Sequence, residues 1–146
     1  MTALRHILLA EDNPNDVELT MAALKTNRVL NEVVVTRDGA ETLDYLWRRN
    51  GYADRRGGDP VLMLLDLKMP KVDGLEVLRQ VKSSAELKSI PIVVLTSSRE
   101  EQDVVASYDL GVNAYVVKPV DFHDFVEAVK LLGGFWAVVN EPPPAR

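Results

Sequence analysis

Four places in the chain carry residue types that can do chemistry together: the acidic pair Glu11-Asp12, the lone acid Asp66, the hydroxyl run Thr96-Ser97-Ser98, and Lys118 followed by Pro119. Three carboxylates suit a hard divalent cation such as Mg2+, which prefers oxygen ligands and retains waters. A lysine beside them would balance their charge, and a hydroxyl adds a donor for an anion. Gathered around one carboxylate, such a set stabilises the charge on a transferring phosphoryl group. Asp66 would then be the nucleophile, and the product an acyl phosphate. For any one residue, a solvated acidic rim closed by a salt bridge to Lys118 is the simpler account. The four falling together favour the chemistry.

They fall together because each follows an apolar, strand-like run. "HILLA" (6–10) precedes Glu11, "VLMLLD" (61–66) ends on Asp66, "IPIVVLTS" (90–97) carries Thr96, and "AYVVK" (114–118) ends on Lys118. A fifth run, "EVVVT" (32–36), ends near Thr36 with nothing notable. Helix-period segments alternate with these runs. Asn13 and Pro14 suit the start of a helix over 13–25, with Val17, Met21 and Leu24 as its stripe. Asp38 and Glu41 have capping-box spacing, ahead of Leu43, Leu46 and Trp47 on one face. Gly74, Leu75, Leu78 and Val81 mark the next helix. "REEQDVVASYDL" (99–110), closed by Gly111, marks another, and Asp121 caps the last. Strands alternating with helices imply a parallel sheet covered on both faces. Such sheets bind ligands beyond the carboxyl ends of their strands.

The chain's 146 residues suit one domain with a real core. Apolar residues at 47% and charged residues at 27% are an ordinary globular composition. The absence of cysteine excludes disulfides and thiol catalysis, and two histidines, His6 and His123, disfavour a histidine-rich metal site. A net charge of −5 disfavours nucleic acid as the main partner. The N-terminal apolar run is too short for a signal peptide, and no stretch approaches the ~20 residues of a membrane span. A cytoplasmic location without membrane association is expected.

Taken in order, the acidic pair, "DLKMPKVDG" (66–74), "LTS" (95–97) and "YVVKP" (115–119) resemble the receiver domain of two-component response regulators. The resemblance covers about residues 5–132. It implies a flavodoxin-like doubly wound α/β fold with five strands in the order 2-1-3-4-5 and five helices. It also implies that Asp66 accepts a phosphoryl group from a sensor histidine kinase. Asp12, Asp66 and the Lys68 carbonyl would ligate Mg2+, with Glu11 acting mostly through metal-bound water. Thr96 and Lys118 would bind phosphoryl oxygens, and Tyr115 would reorient with Thr96 as a switch. Pro70 and Gly74 would shape the turn that aims the Lys68 carbonyl, and the Lys118-Pro119 bond would be cis. Such a protein catalyses only its own phosphorylation and dephosphorylation.

An aspartyl phosphohydrolase of the haloacid-dehalogenase type would place a second Asp where Lys68 stands. A flavodoxin-like FMN carrier would want a glycine- and hydroxyl-rich loop where "EDNPND" stands. A degenerate receiver would lack part of the set. A receiver over 1–132 leaves 133–146 as a C-terminal extension and tail, with no output domain expected there. The downstream partner would be an unidentified protein, or the domain a phosphate sink or relay module. The loop flanked by Arg48, Arg49, Arg55 and Arg56, with "FW" at 135–136, resembles stand-alone regulators that pair with bacterial phytochrome kinases. Phe122, Phe125, Val129, Leu132, Trp136 and Val139 form a heptad-like seam. Its later members, with Phe135, are expected to reach a second subunit and make a homodimer.

Overall fold

A computed structural model of the chain describes residues 6–26, 29, 31–97, 101, 112 and 114–131. In chain order they form β1 (Ile7–Ala10), α1 (Pro14–Thr26), β2 (Val33–Thr36), α2 (Gly39–Trp47), a 3-10 turn (Asn50–Tyr52), β3 (Leu62–Asp66), α3 (Gly74–Ser83), β4 (Ile92–Thr96), β5 (Tyr115–Val117) and α4 (Phe122–Leu131). The five strands pair in parallel in the order β2-β1-β3-β4-β5. This is the flavodoxin-like order expected. It reverses between β1 and β3, so the crevice beyond the carboxyl ends of those two strands is the switch point. The helix expected over 99–110, Gly111, and the seam residues Leu132, Trp136 and Val139 with Phe135 lie outside the described residues.

The strands are short and almost wholly apolar because helices cover both faces of the sheet. Successive side chains point to opposite faces. Ile7, Leu9, Leu62, Leu64, Val93, Leu95 and Val116 pack with Val17 and Leu24 of α1 and with Phe125 and Ala128 of α4. Leu8, Ala10, Met63, Leu65, Ile92 and Val94 pack with Leu43 and Leu46 of α2 and with Val77, Leu78 and Val81 of α3. Burying each Leu, Ile or Phe of these layers contributes about 1.5–3 kcal/mol before the entropy of ordering is subtracted.

The helix caps follow the residues. Asn13 Oδ1 accepts from the backbone N–H of Asn15 at 2.8 Å, and Asp121 Oδ1 from that of His123 at 2.8 Å. Asp38 Oδ1 accepts from Glu41 N at 2.7 Å, but Glu41 returns its carboxylate to Arg37 N, one residue before the cap. Two stripes differ from expectation. On α1, Thr20 is buried and Met21 is exposed. Val17 and Leu24 set the buried face, and Thr20 falls between them at i+3 and i−4. On α3, Val77 is buried completely while Leu75 is only partly covered. No helix among the described residues is long and apolar enough to cross a membrane.

Candidate functional site at the carboxyl ends of the strands

Strand alternation explains how the site assembles. Glu11, Asp66 and Lys118 continue the odd-even phase of Leu9, Leu64 and Val116, so all three turn toward the α1/α4 side of the sheet. The backbone fixes their level: Glu11 N donates to Thr36 O at 2.9 Å, and Lys118 N to Thr96 O at 2.8 Å. Lys118 Nζ then lies 3.2 Å from Glu11 Oε1, 2.9 Å from Asp16 Oδ2 and 3.3 Å from Asp66 Oδ1. Carboxylate oxygens of Glu11, Asp12 and Asp66 lie within 4.8 Å of one another. Glu11 and Asp66 are buried, at 0% and 3% exposure.

A buried carboxylate cluster is costly unless paired or liganded. Burial, then the hydrogen bond and negative charge of Asp66, push the Glu11 carboxyl from the usual 4.5 up to about 7, against the pull of Asn13 N–H and Lys118. Burial works against the Lys118 ammonium. Its hydrogen bond to Asp16 and the charges of Asp66 and Glu11 outweigh that, holding it above its ordinary range. Three converging oxygen donors whose repulsion is only partly relieved by one ammonium fit a hard dication. Glu11, Asp12 and Asp66 could hold such an ion, which would supply charge neutralisation for an incoming anionic group.

Asp16 was not among the expected site residues. It replaces Asp12 as the third partner of Lys118, reaching back from the first turn of α1. Its place three residues after the Asn13 cap, beside the strand ends, is the signal that marks it.

The turn after β3 is held by two close backbone approaches. Gly74 N donates to Leu67 O at 2.8 Å, and a Cβ on Gly74 would stand 2.1 Å from Asp66 O. A Cβ on Gly39 would stand 1.7 Å from Val72 O. Pro70 O accepts from Val72 N at 2.9 Å and Gly39 N at 3.4 Å, and Lys71 adopts a left-handed φ of 67°. Pro70, Gly74 and Gly39 thus all lie at close backbone approaches around this turn.

Thr96 is fully buried at the end of β4. It and Tyr115 have the phase of the opposite face, where Tyr115 packs against the α2/α3 core beside Val94. Burial raises the Tyr115 hydroxyl pKa. The Lys118-Pro119 bond is cis. Beyond Thr96, Glu101 gathers donors from two loops: Ser97 N at 2.6 Å, Ser97 Oγ at 3.1 Å and Lys68 Nζ at 3.3 Å. Ser98 lies outside the described residues.

Two of the four arginines of the loop hydrogen-bond to backbone carbonyls. Arg48 donates to the Arg55 carbonyl at 3.0 Å and to that of Gly57. Arg55 donates to Tyr45 O at 2.9 Å and to Gly58 O at 3.1 Å, with its guanidinium 4.1 Å from the Tyr45 ring centre. These two side chains build the loop.

Comparison with known proteins agrees with the geometry. The family model described as "Response regulator receiver domain" matches residues 7–130. Response regulator Rcp1 of Synechocystis sp. is 42% identical over 139 residues, covering 95% of this chain and 93% of that protein. The solved structure of the bacteriophytochrome response regulator AtBRR is 62% identical with a TM-score of 0.91, over 96% of this chain and 100% of that one. That of the phosphorylated cyanobacterial phytochrome response regulator RcpA is 42% identical with a TM-score of 0.74, over 98% and 100%. Acidic pair, strand-end aspartate, buried threonine and lysine on a five-stranded 2-1-3-4-5 sheet therefore have one meaning: the chain belongs to the response regulator receiver family.

Proposed function

We propose that this chain is a stand-alone response regulator that takes a phosphoryl group onto Asp66 from a phytochrome-type sensor histidine kinase. The observation that carries the proposal is the convergence of Glu11, Asp12 and Asp66 on one point, with Lys118 joined to Asp66. In the transfer, an Asp66 carboxylate oxygen bonds to phosphorus as the phosphorus–nitrogen bond of a phosphohistidine breaks. The departing imidazole keeps the electron pair. Asp12, Asp66 and the Lys68 carbonyl would hold Mg2+, with Glu11 acting mostly through metal-bound water, and the ion would supply charge neutralisation for the phosphoryl oxygens. Lys118 holds Asp66 in place and offers its ammonium to those oxygens. Thr96 offers a hydroxyl, and its movement toward the phosphoryl group would be reported to Tyr115.

Likeness to the bacteriophytochrome response regulator AtBRR and the cyanobacterial phytochrome response regulator RcpA supports this choice of kinase class. Phosphotransfer from a phosphorylated bacteriophytochrome kinase tests it. Label should pass to the wild type within seconds to minutes and not to Asp66→Asn. Transfer from unrelated kinases at the same rate would refute the pairing. We further propose a receiver over 1–132, a cytoplasmic location, and a homodimer made through 133–146. Truncation after Leu132 should then give a stable monomer by light scattering. A monomeric full chain, with and without phosphoryl on Asp66, would refute the dimer.

A further inference from the structure

Glu101 occupies donors that follow Asp66 on its own strand, β3, and on the neighbouring strand, β4. The β3–β4 register sets Asp66 opposite Leu95, so Ser97 stands two residues beyond that level past β4, and Lys68 two residues beyond it past β3. The two overhang the same strand ends. An amide N–H, a hydroxyl and an ammonium form an anion-recognising set. Here the set is filled by the chain's own carboxylate, at 2.6, 3.1 and 3.3 Å, with a side chain only 13% exposed. Lys68 is otherwise in solvent, at 76% exposure, and its recorded ion pair is the one to Glu101.

We propose that Glu101 is a built-in competitor of the phosphoryl group, holding the Ser97 N–H, the Ser97 hydroxyl and the Lys68 ammonium until Asp66 is modified. The inference rests on the reading of Asp66 as phosphoacceptor. A phosphoryl group on Asp66 extends past the strand end with oxygens of higher charge than a carboxylate. It draws the three donors to itself, and Glu101 is released. The same contact sets the threshold for modification, because the anion must displace a resident carboxylate before it is fully bound.

Fluoroberyllate in the presence of Mg2+, titrated by 19F NMR, is a suitable probe because it adds to an aspartate carboxylate as a phosphoryl mimic. Glu101→Ala should bind it about fivefold more tightly than wild type, the weight of one intramolecular hydrogen bond. Glu101→Gln, which keeps an acceptor but no charge, should fall between the two. Mg2+ affinity without fluoride should stay at the wild-type value in both. Unchanged or weaker fluoroberyllate binding in Glu101→Ala would make Glu101 a brace and overturn the proposal. So would a change confined to Mg2+ affinity. Asp66→Asn is the separate control. If wild type binds no more fluoroberyllate than Asp66→Asn does, the phosphoacceptor reading itself fails, and the competitor reading with it.

Discussion

Lys118 Nζ lies 3.3 Å from Asp66 Oδ1, joining the last residue of β3 to the residue that follows β5, across the intervening β4. The same ammonium holds Glu11 and Asp16, so one cation serves three carboxylates. Removing it leaves buried charge without a partner, which costs on the order of 3 kcal/mol. Lys118→Met should therefore lower metal-free stability by about that much in urea unfolding, and Mg2+ should restore part of it. Equal stability of variant and wild type in chelator would contradict the role given to Lys118.

Glu11 sets a pH dependence of the metal-free protein. Its carboxyl is raised by burial, then by Asp66, to about 7 in the folded state, against 4.5 as an ordinary carboxyl. The folded state therefore binds the proton more tightly than the unfolded chain. The stability this contributes is complete below pH 4.5 and is lost as pH rises through about 7. Denaturant midpoints in chelator should fall across that window. Glu11→Gln should flatten the fall, because the amide cannot ionise. A fall of the same size in Glu11→Gln, or no fall in the wild type, would refute the assignment.

Gly74 carries the turn after β3. A methyl there would meet Asp66 O at 2.1 Å and Leu67 Cα at 2.6 Å, backbone atoms that cannot swing aside. Gly74→Ala should cost about 1–3 kcal/mol, as overpacking does, and should slow phosphorylation by displacing Asp66. Wild-type melting temperature together with a wild-type phosphorylation rate would show that the turn yields without consequence.

How far the residues reveal this arrangement depends on what each signal measures. Apolar runs ending in acids, hydroxyls or lysine are local, and β1, β3, β4 and β5 lie inside the runs that preceded Glu11, Asp66, Thr96 and Lys118. The alternation of strand phase then brings Glu11, Asp66 and Lys118 to one side. The strand order came from family resemblance, since periodicity does not say which strand lies beside which. Met21 was expected in the core because it is apolar, yet the buried position fell to Thr20, since helix phase outranks polarity there. Nothing local to Asp16 or Glu101 sets them apart from other acids near a helix start. Their partners, Lys118, Ser97 and Lys68, become neighbours only when the sheet forms. Gly39 follows the Asp38 cap, but its close approach to Val72 O joins two stretches distant in sequence.

The central claim, that Asp66 is the phosphoacceptor, is tested most directly by intact mass. After incubation with Mg2+ and acetyl phosphate, the wild type should gain the mass of one phosphoryl group, labile to base and to hydroxylamine, and Asp66→Asn should gain none. An equal gain in Asp66→Asn, or no gain in wild type with Mg2+ bound, would contradict the account.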